Sequence, residues 1–173
     1  STLRQVETYR ATNGGNLFGD LIAAEIADGS RIVARNEHWI AFVPFAARWP
    51  VEVHLFPRVQ VADLPALTPP QKLSLAPIYL EVLRRLEGVF QDSLPAVTAW
   101  HQAPVHTGRD DFWLHLQIFT IRRDIGKIKY LAGSEAAMGA FVNDISPEDA
   151  AQRLRQARLS TADDLGPLSL LTS

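Results

Sequence analysis

The sequence predicts an α+β domain with one mostly antiparallel sheet of about five or six strands carrying helices on one face. Three observations lead there. Short apolar runs follow one another closely enough to be hairpins, with RIVAR and HWIAFVPF joined across Asn36-Glu37 as the clearest case. Between the runs stand segments with helical spacing, opened by capping residues at Asn16, Thr68 and Ser146. The run from Phe112 to Ile121 is apolar almost throughout, as a strand covered on both faces would be.

Residues 1–15 are polar and end in Asn13-Gly14-Gly15, which marks a break. Asn16 is a good N-cap for LFGDLIAAEIADG, where Leu17, Phe18, Leu21, Ile22 and Ile26 recur at helical spacing and Gly29 closes the segment. A helix over about 17–28 follows. RIVAR, HWIAFVPF and VEVHLF then read as three successive antiparallel strands, and in the last Val51, Val53 and Leu55 alternate with Glu52, His54 and Phe56. Thr68-Pro69-Pro70-Gln71 has the cap, proline and glutamine of a capping box. The long helix after it turns Leu75, Tyr79, Val82, Leu83, Leu86 and Phe90 to a core, and Pro77 is expected to kink it or delay its start.

After Ser93 to Pro95, AVTAWHQAP is a further strand, and a polar loop from Val105 to Asp110 leads into the central run. There period-two geometry puts Trp113, His115, Gln117 and Phe119 on one face and Leu114, Leu116 and Ile118 on the other. A turn at Asp124-Ile125-Gly126 begins a hairpin with Lys127 and Lys129 on one side and Ile128, Tyr130 and Ala132 on the other. Ser146-Pro147-Glu148-Asp149 caps a last helix with Ala150, Ala151, Leu154 and Ala157 inward, and the end from Leu159 reads as a loose tail.

With 173 residues, 47% hydrophobic and 21% charged, the chain has an ordinary soluble composition and room for one core. A net charge of −2 gives no reason to expect nucleic acid or an anionic membrane as partner. The lack of cysteine excludes disulfides and thiolate metal sites and fits a reducing compartment. No apolar run approaches the roughly 18 residues that span a bilayer, and STLRQVETYR lacks the apolar stretch of a signal peptide, so a cytoplasmic protein is expected.

Of the five histidines, only His101 and His115 sit within strongly apolar runs, where an imidazole needs partners for its nitrogens. Two readings are open: hydrogen-bonded core histidines, or metal ligands completed by Gln117, Glu7 or another carboxylate. Arg122, Arg123, Lys127 and Lys129 gather beside Gly126 and Gly133, which suits either an anionic ligand such as phosphate or a solvated basic hairpin. Trp39, Trp49, Trp100 and Trp113 lie in or next to apolar runs and are read as core. Glycine-rich phosphate loops and nucleophile elbows are absent from the sequence.

The stretches NEHWIAFVPFAARWPVEVHLFP, AWHQAP, LHLQIF, GKIKYLAGSE and NDISPEDAAQRLR, in this order and spacing, closely resemble the C-terminal half of galactose-1-phosphate uridylyltransferase over about residues 16–158. Residues 1–15 and 159–173 then form an N-terminal segment and a C-terminal tail. The resemblance implies a histidine-triad-like single domain. It also implies an enzyme of two such domains that exchanges UMP between UDP-glucose and galactose 1-phosphate through a uridylyl-histidine, usually as a dimer. In that family the nucleophile lies in a His-Pro-His motif of the N-terminal half, and this sequence has no such motif, so the chain alone is expected to be inactive. It would need the N-terminal half as partner and could self-associate as a homodimer or join a hetero-assembly.

By the same resemblance His101 and His115 match two ligands of a zinc or iron site, but the third histidine position is Gln117, and the expected carboxylate falls at Thr2, or at Glu7 after a shift. Lys129, Tyr130, Gly133 and Glu135 match the segment that reaches the substrate's sugar and phosphate. Lys129 would offset phosphate charge and Glu135 would orient sugar hydroxyls. Two alternatives stay open: a non-catalytic remnant that binds a sugar nucleotide or a partner protein, and an independent transferase using His115 as nucleophile.

Overall fold

The computed structural model describes residues 2–91, 95–124, 127–157 and 159. It opens with a helix that the polar N-terminal segment did not announce, α1 (Thr2–Asn13). Val6 is its one buried residue, so no apolar stripe marks the helix in the sequence. The second helix, α2 (Leu17–Asp28), is built as expected. The Asn16 side chain accepts the N–H groups of Phe18 and Gly19, each at 3.0 Å, and Gly29 closes the helix at φ 71°.

Strands β1 (Ile32–Arg35), β2 (Trp39–Phe42) and β3 (Val51–Pro57) form the expected antiparallel succession. Asn36 turns the first hairpin by accepting the N–H groups of His38 and Trp39 on its side-chain oxygen. After helix α3 (Pro69–Phe90), β4 (Ala96–His101) and β5 (His115–Thr120) complete one five-stranded sheet of order β1-β2-β3-β5-β4, antiparallel throughout. Beyond it lie a short ladder of β6 (Arg122–Asp124) with β7 (Lys127–Ile128), then α4 (Gly133–Met138) and α5 (Pro147–Gln156). The turn residues Ile125 and Gly126 and the tail residues 160–173 lie outside the described residues.

The capping box is present at Thr68 and Gln71, and α3 runs unbroken from Pro69 for 22 residues. Pro77 therefore does not delay its start. It lies on the exposed face, and so does Leu73, whose carbonyl the missing N–H would have bonded, so water can take that bond.

One sheet face carries Val53, Leu55, Leu114, Leu116 and Ile118, packed with Val82, Leu86 and Phe90 of α3 and Ala151 and Leu154 of α5. The opposite face carries Ile40, Phe42 and Phe56, packed with Val6, Phe18 and Ile22 of α1 and α2. Helices thus cover both faces, where the sequence reading placed them on one. The reason is compositional: β2 reads Trp-Ile-Ala-Phe, with no polar alternation to leave either face to water. Trp39 and Trp113 are buried, and each indole N–H donates to a backbone carbonyl at 2.8 Å, of Gln71 and Pro57 respectively. Among the described residues no helix is long and apolar enough to cross a membrane.

Because Val6 is the one buried residue of α1, Val6→Ala is expected to cost about 2 kcal/mol in urea unfolding. Glu7→Ala, one residue on and exposed, should stay within about 0.5 kcal/mol. Equal small effects at both positions would show that α1 contributes nothing to the core.

Candidate functional site

Two regions gather the polar side chains. The first lies on the α1/α2 side of the sheet, where strand parity brings Glu52 and His54 of β3, His115 and Gln117 of β5, and His101 of β4 onto one face. Register sets His54 opposite Gln117 and His101 opposite His115. Glu52 is nearly fully buried at 2% exposure and accepts four hydrogen bonds. Its Oε2 takes the backbone N–H groups of Arg48 at 2.8 Å and Trp49 at 3.2 Å. Its Oε1 takes His54 Nε2 and the Gln117 amide, each at 2.8 Å. Gln117 Oε1 in turn meets His101 Nε2 at 3.2 Å.

His115 stands between rings. It stacks on His101 with centroids 4.7 Å apart and an interplanar angle of 11°, and on Phe56 at 4.7 Å and 18°. Its Nδ1 donates to the carbonyl of Trp113 at 2.9 Å. Burial pushes the imidazole pKa down to about 4; the hydrogen bond to Trp113 opposes that shift, and nearby His101 and His54 add to it. His115 is neutral at pH 7. Burial works against the Glu52 charge, yet the bonds from His54, the backbone N–H groups and Gln117 hold its carboxyl below the usual range.

The residues present do not fit a metal. Among the described residues no group of three or more histidine, aspartate or glutamate side chains is placed to hold an ion. His101 and His115 do come together, as neighbours in register, but Gln117 occupies the third position and bonds His101 itself. Glu7 projects from the exposed face of α1.

The second region is the segment after β7. Lys129 pairs with Glu135 at 2.7 Å, and the two side chains are 9% and 2% exposed. The Lys129 ammonium also donates to the carbonyls of Arg48 and Val142 and to Asn143 Oδ1, between 3.0 and 3.2 Å. Glu135 accepts the N–H groups of Ala132 at 2.8 Å and Val142 at 3.0 Å. The Lys129 bond and these backbone bonds hold the Glu135 carboxyl down at about 2. Around this pair, Tyr130 is 84% exposed, and a Cβ added at Gly133 would meet nothing within 4 Å. Arg123 forms an ion pair with Asp144 on the wall of a cavity of about 430 Å³ that Arg153 also lines. Arg122 sits in β6 and Lys127 in β7, and each has an interaction of its own.

Sequence reasoning did not single out Glu52 or His54, although period-two parity already set them on one face of their strand. Arg48, Trp49 and Asn143, whose backbone and amide groups complete both regions, carried no local signal.

The model of the galactose-1-phosphate uridyl transferase C-terminal domain matches residues 2–165. The galactose-1-phosphate uridylyltransferase of Streptomyces lividans is 38% identical over 171 residues, covering 89% of this chain and 46% of its own length. A solved uridylyltransferase structure superposes with a TM-score of 0.83 at 32% identity, over 90% of this chain and 49% of that one. A Hit-like protein of Bartonella henselae shares the fold alone, with a TM-score of 0.55 at 18% identity over 84% of this chain and 98% of that one. The chain spans about half the length of the curated relatives it matches.

The Lys129–Glu135 pair gives a pH signature. The folded carboxyl sits at about 2, below its ordinary 4.5, so its contribution to stability is complete above 4.5 and is lost as pH falls from there toward 2. In urea unfolding over a pH series, Glu135→Gln is expected to be less stable than wild type at pH 7. That gap should narrow steadily across this window, and a gap undiminished at pH 2.5 would contradict the assignment.

Proposed function

The chain belongs to the galactose-1-phosphate uridyl transferase C-terminal domain family, and from that premise we propose that it works as the second half of a hexose-1-phosphate uridylyltransferase. In this reading UMP passes between UDP-glucose and galactose 1-phosphate only when an N-terminal half stands beside this domain. The observation that carries the reading is the span: nearly the whole chain matches relatives named galactose-1-phosphate uridylyltransferase, and it accounts for about half of each.

Division of labour follows from the residues. Two half-reactions that share a covalent intermediate need a nucleophile. His-Pro-His is absent from the sequence, and the neutral His115 is stacked between the rings of Phe56 and His101. The nucleophile is assigned to the N-terminal half, and the chain alone is inactive. This half contributes the segment Lys129–Glu135. The Lys129–Glu135 pair fixes its path, and the exposed Tyr130 and the open space at Gly133 offer a surface to the sugar and phosphate. Arg122, Arg123 and Lys127 add positive charge beside it. The assembly is a hetero-assembly with the N-terminal half or a homodimer of the joined halves.

The test is complementation. The chain alone should form no UDP-galactose from UDP-glucose and galactose 1-phosphate, and adding an N-terminal half carrying His-Pro-His should restore turnover. In the restored assembly Tyr130→Ala should raise KM several-fold. Turnover by the chain alone would overturn the proposal. An absence of turnover with both halves, together with no calorimetric heat from UDP-glucose, would favour a non-catalytic remnant.

A further inference from the structure

The cluster on β3, β5 and β4 has a direction that follows from one residue. An ionised carboxylate accepts hydrogen bonds and donates none, so whatever touches Glu52 must present N–H. His54 Nε2 therefore carries a proton toward Glu52 Oε1. The Gln117 amide must turn its NH₂ to the same oxygen, which fixes its orientation. Its carbonyl oxygen then faces His101, and because that oxygen only accepts, His101 Nε2 must carry the proton. His115 is fixed separately, since the Trp113 carbonyl is also an acceptor and requires the proton on Nδ1.

An imidazole binds a metal through a nitrogen lone pair. Here Glu52 converts the nitrogens of His54 and His101 that point into the cluster into donors. No fully buried side-chain nitrogen or oxygen of the described residues lacks a partner, so none of these atoms calls for an ion.

From this we propose that the cluster is a metal-independent clasp. Glu52 sets its polarity, the hydrogen-bonded chain His54–Glu52–Gln117–His101 ties β3, β5 and β4 together, and Gln117 is the residue that shuts a metal out. Gln117 and Glu52 are positioning residues in this scheme, and the proposal stands whether or not the chain acts in UMP transfer.

Ring nitrogen shifts from long-range proton–nitrogen NMR read the tautomers directly in the purified chain. The expected result is protonated Nε2 at His101 and protonated Nδ1 at His115, with ring shifts and Tm unchanged by EDTA and by one equivalent of Zn²⁺. Glu52→Gln keeps the shape of the group but restores its ability to donate, so His101 should then populate both tautomers. Gln117→Ala, which removes the side-chain link between β5 and β4, should lower the Tm by several degrees. Zn²⁺ moving the ring nitrogens of both His101 and His115 would overturn the proposal. So would a metal that copurifies in stoichiometric amount and whose removal lowers the Tm, or a His101 tautomer that Glu52→Gln leaves untouched.

Discussion

A buried carboxylate is tolerable only when its lone pairs are met, because taking it out of water unpaired costs several kcal/mol. Glu52 is the point of this fold where that requirement is most exacting. Its four donors come from the loop before β3, from β3 itself and from β5, so meeting them fixes the β2–β3 connection and the face of β5 at once. Through Gln117 the same requirement reaches His101 on β4. The order β3-β5-β4, joined by backbone ladders, is thus repeated by a side-chain chain running across the strands. Removing Glu52 would orphan two backbone N–H groups as well as two side chains, each a loss of about 1–3 kcal/mol where burial is complete.

That arrangement bears on function by what it uses up. Imidazoles are the versatile groups of this sheet, yet His54 and His101 are committed as donors and His115 is stacked and neutral. The sheet is a rigid support, covered by α3 and α5 on one side and by α1 and α2 on the other. In the proposed reading the ligand is met at the sheet's margin, on the segment after β7, whose path the Lys129–Glu135 pair sets.

Much of the fold was legible in the sequence wherever a local rule decides it. Asn16 with Gly29, and Thr68 with Gln71, mark helix ends because capping is local chemistry. Strict alternation in VEVHLF and LHLQIF gave the faces of β3 and β5, whereas the pairing of His115 with His101 is set by register. Helix α1 was not legible, because a helix held by one buried valine and tertiary contacts leaves no stripe. The closeness of His101 to His115 was foreseen only through the family resemblance. The role of Glu52 was hidden because its donors Arg48, Trp49 and Gln117 are gathered by the fold, and nothing in a run of seven residues announces them. Lys129 and Glu135 appeared as separate ligand groups, and that they neutralise each other became visible only in three dimensions.

The claim that this sheet supports chemistry rather than performing it is tested most directly by intact-mass spectrometry of the chain after incubation with UDP-glucose, kept near neutral pH so that a phosphorus–nitrogen bond survives. The account predicts an unchanged mass. A gain of one uridylyl group, mapped to His115, would contradict it.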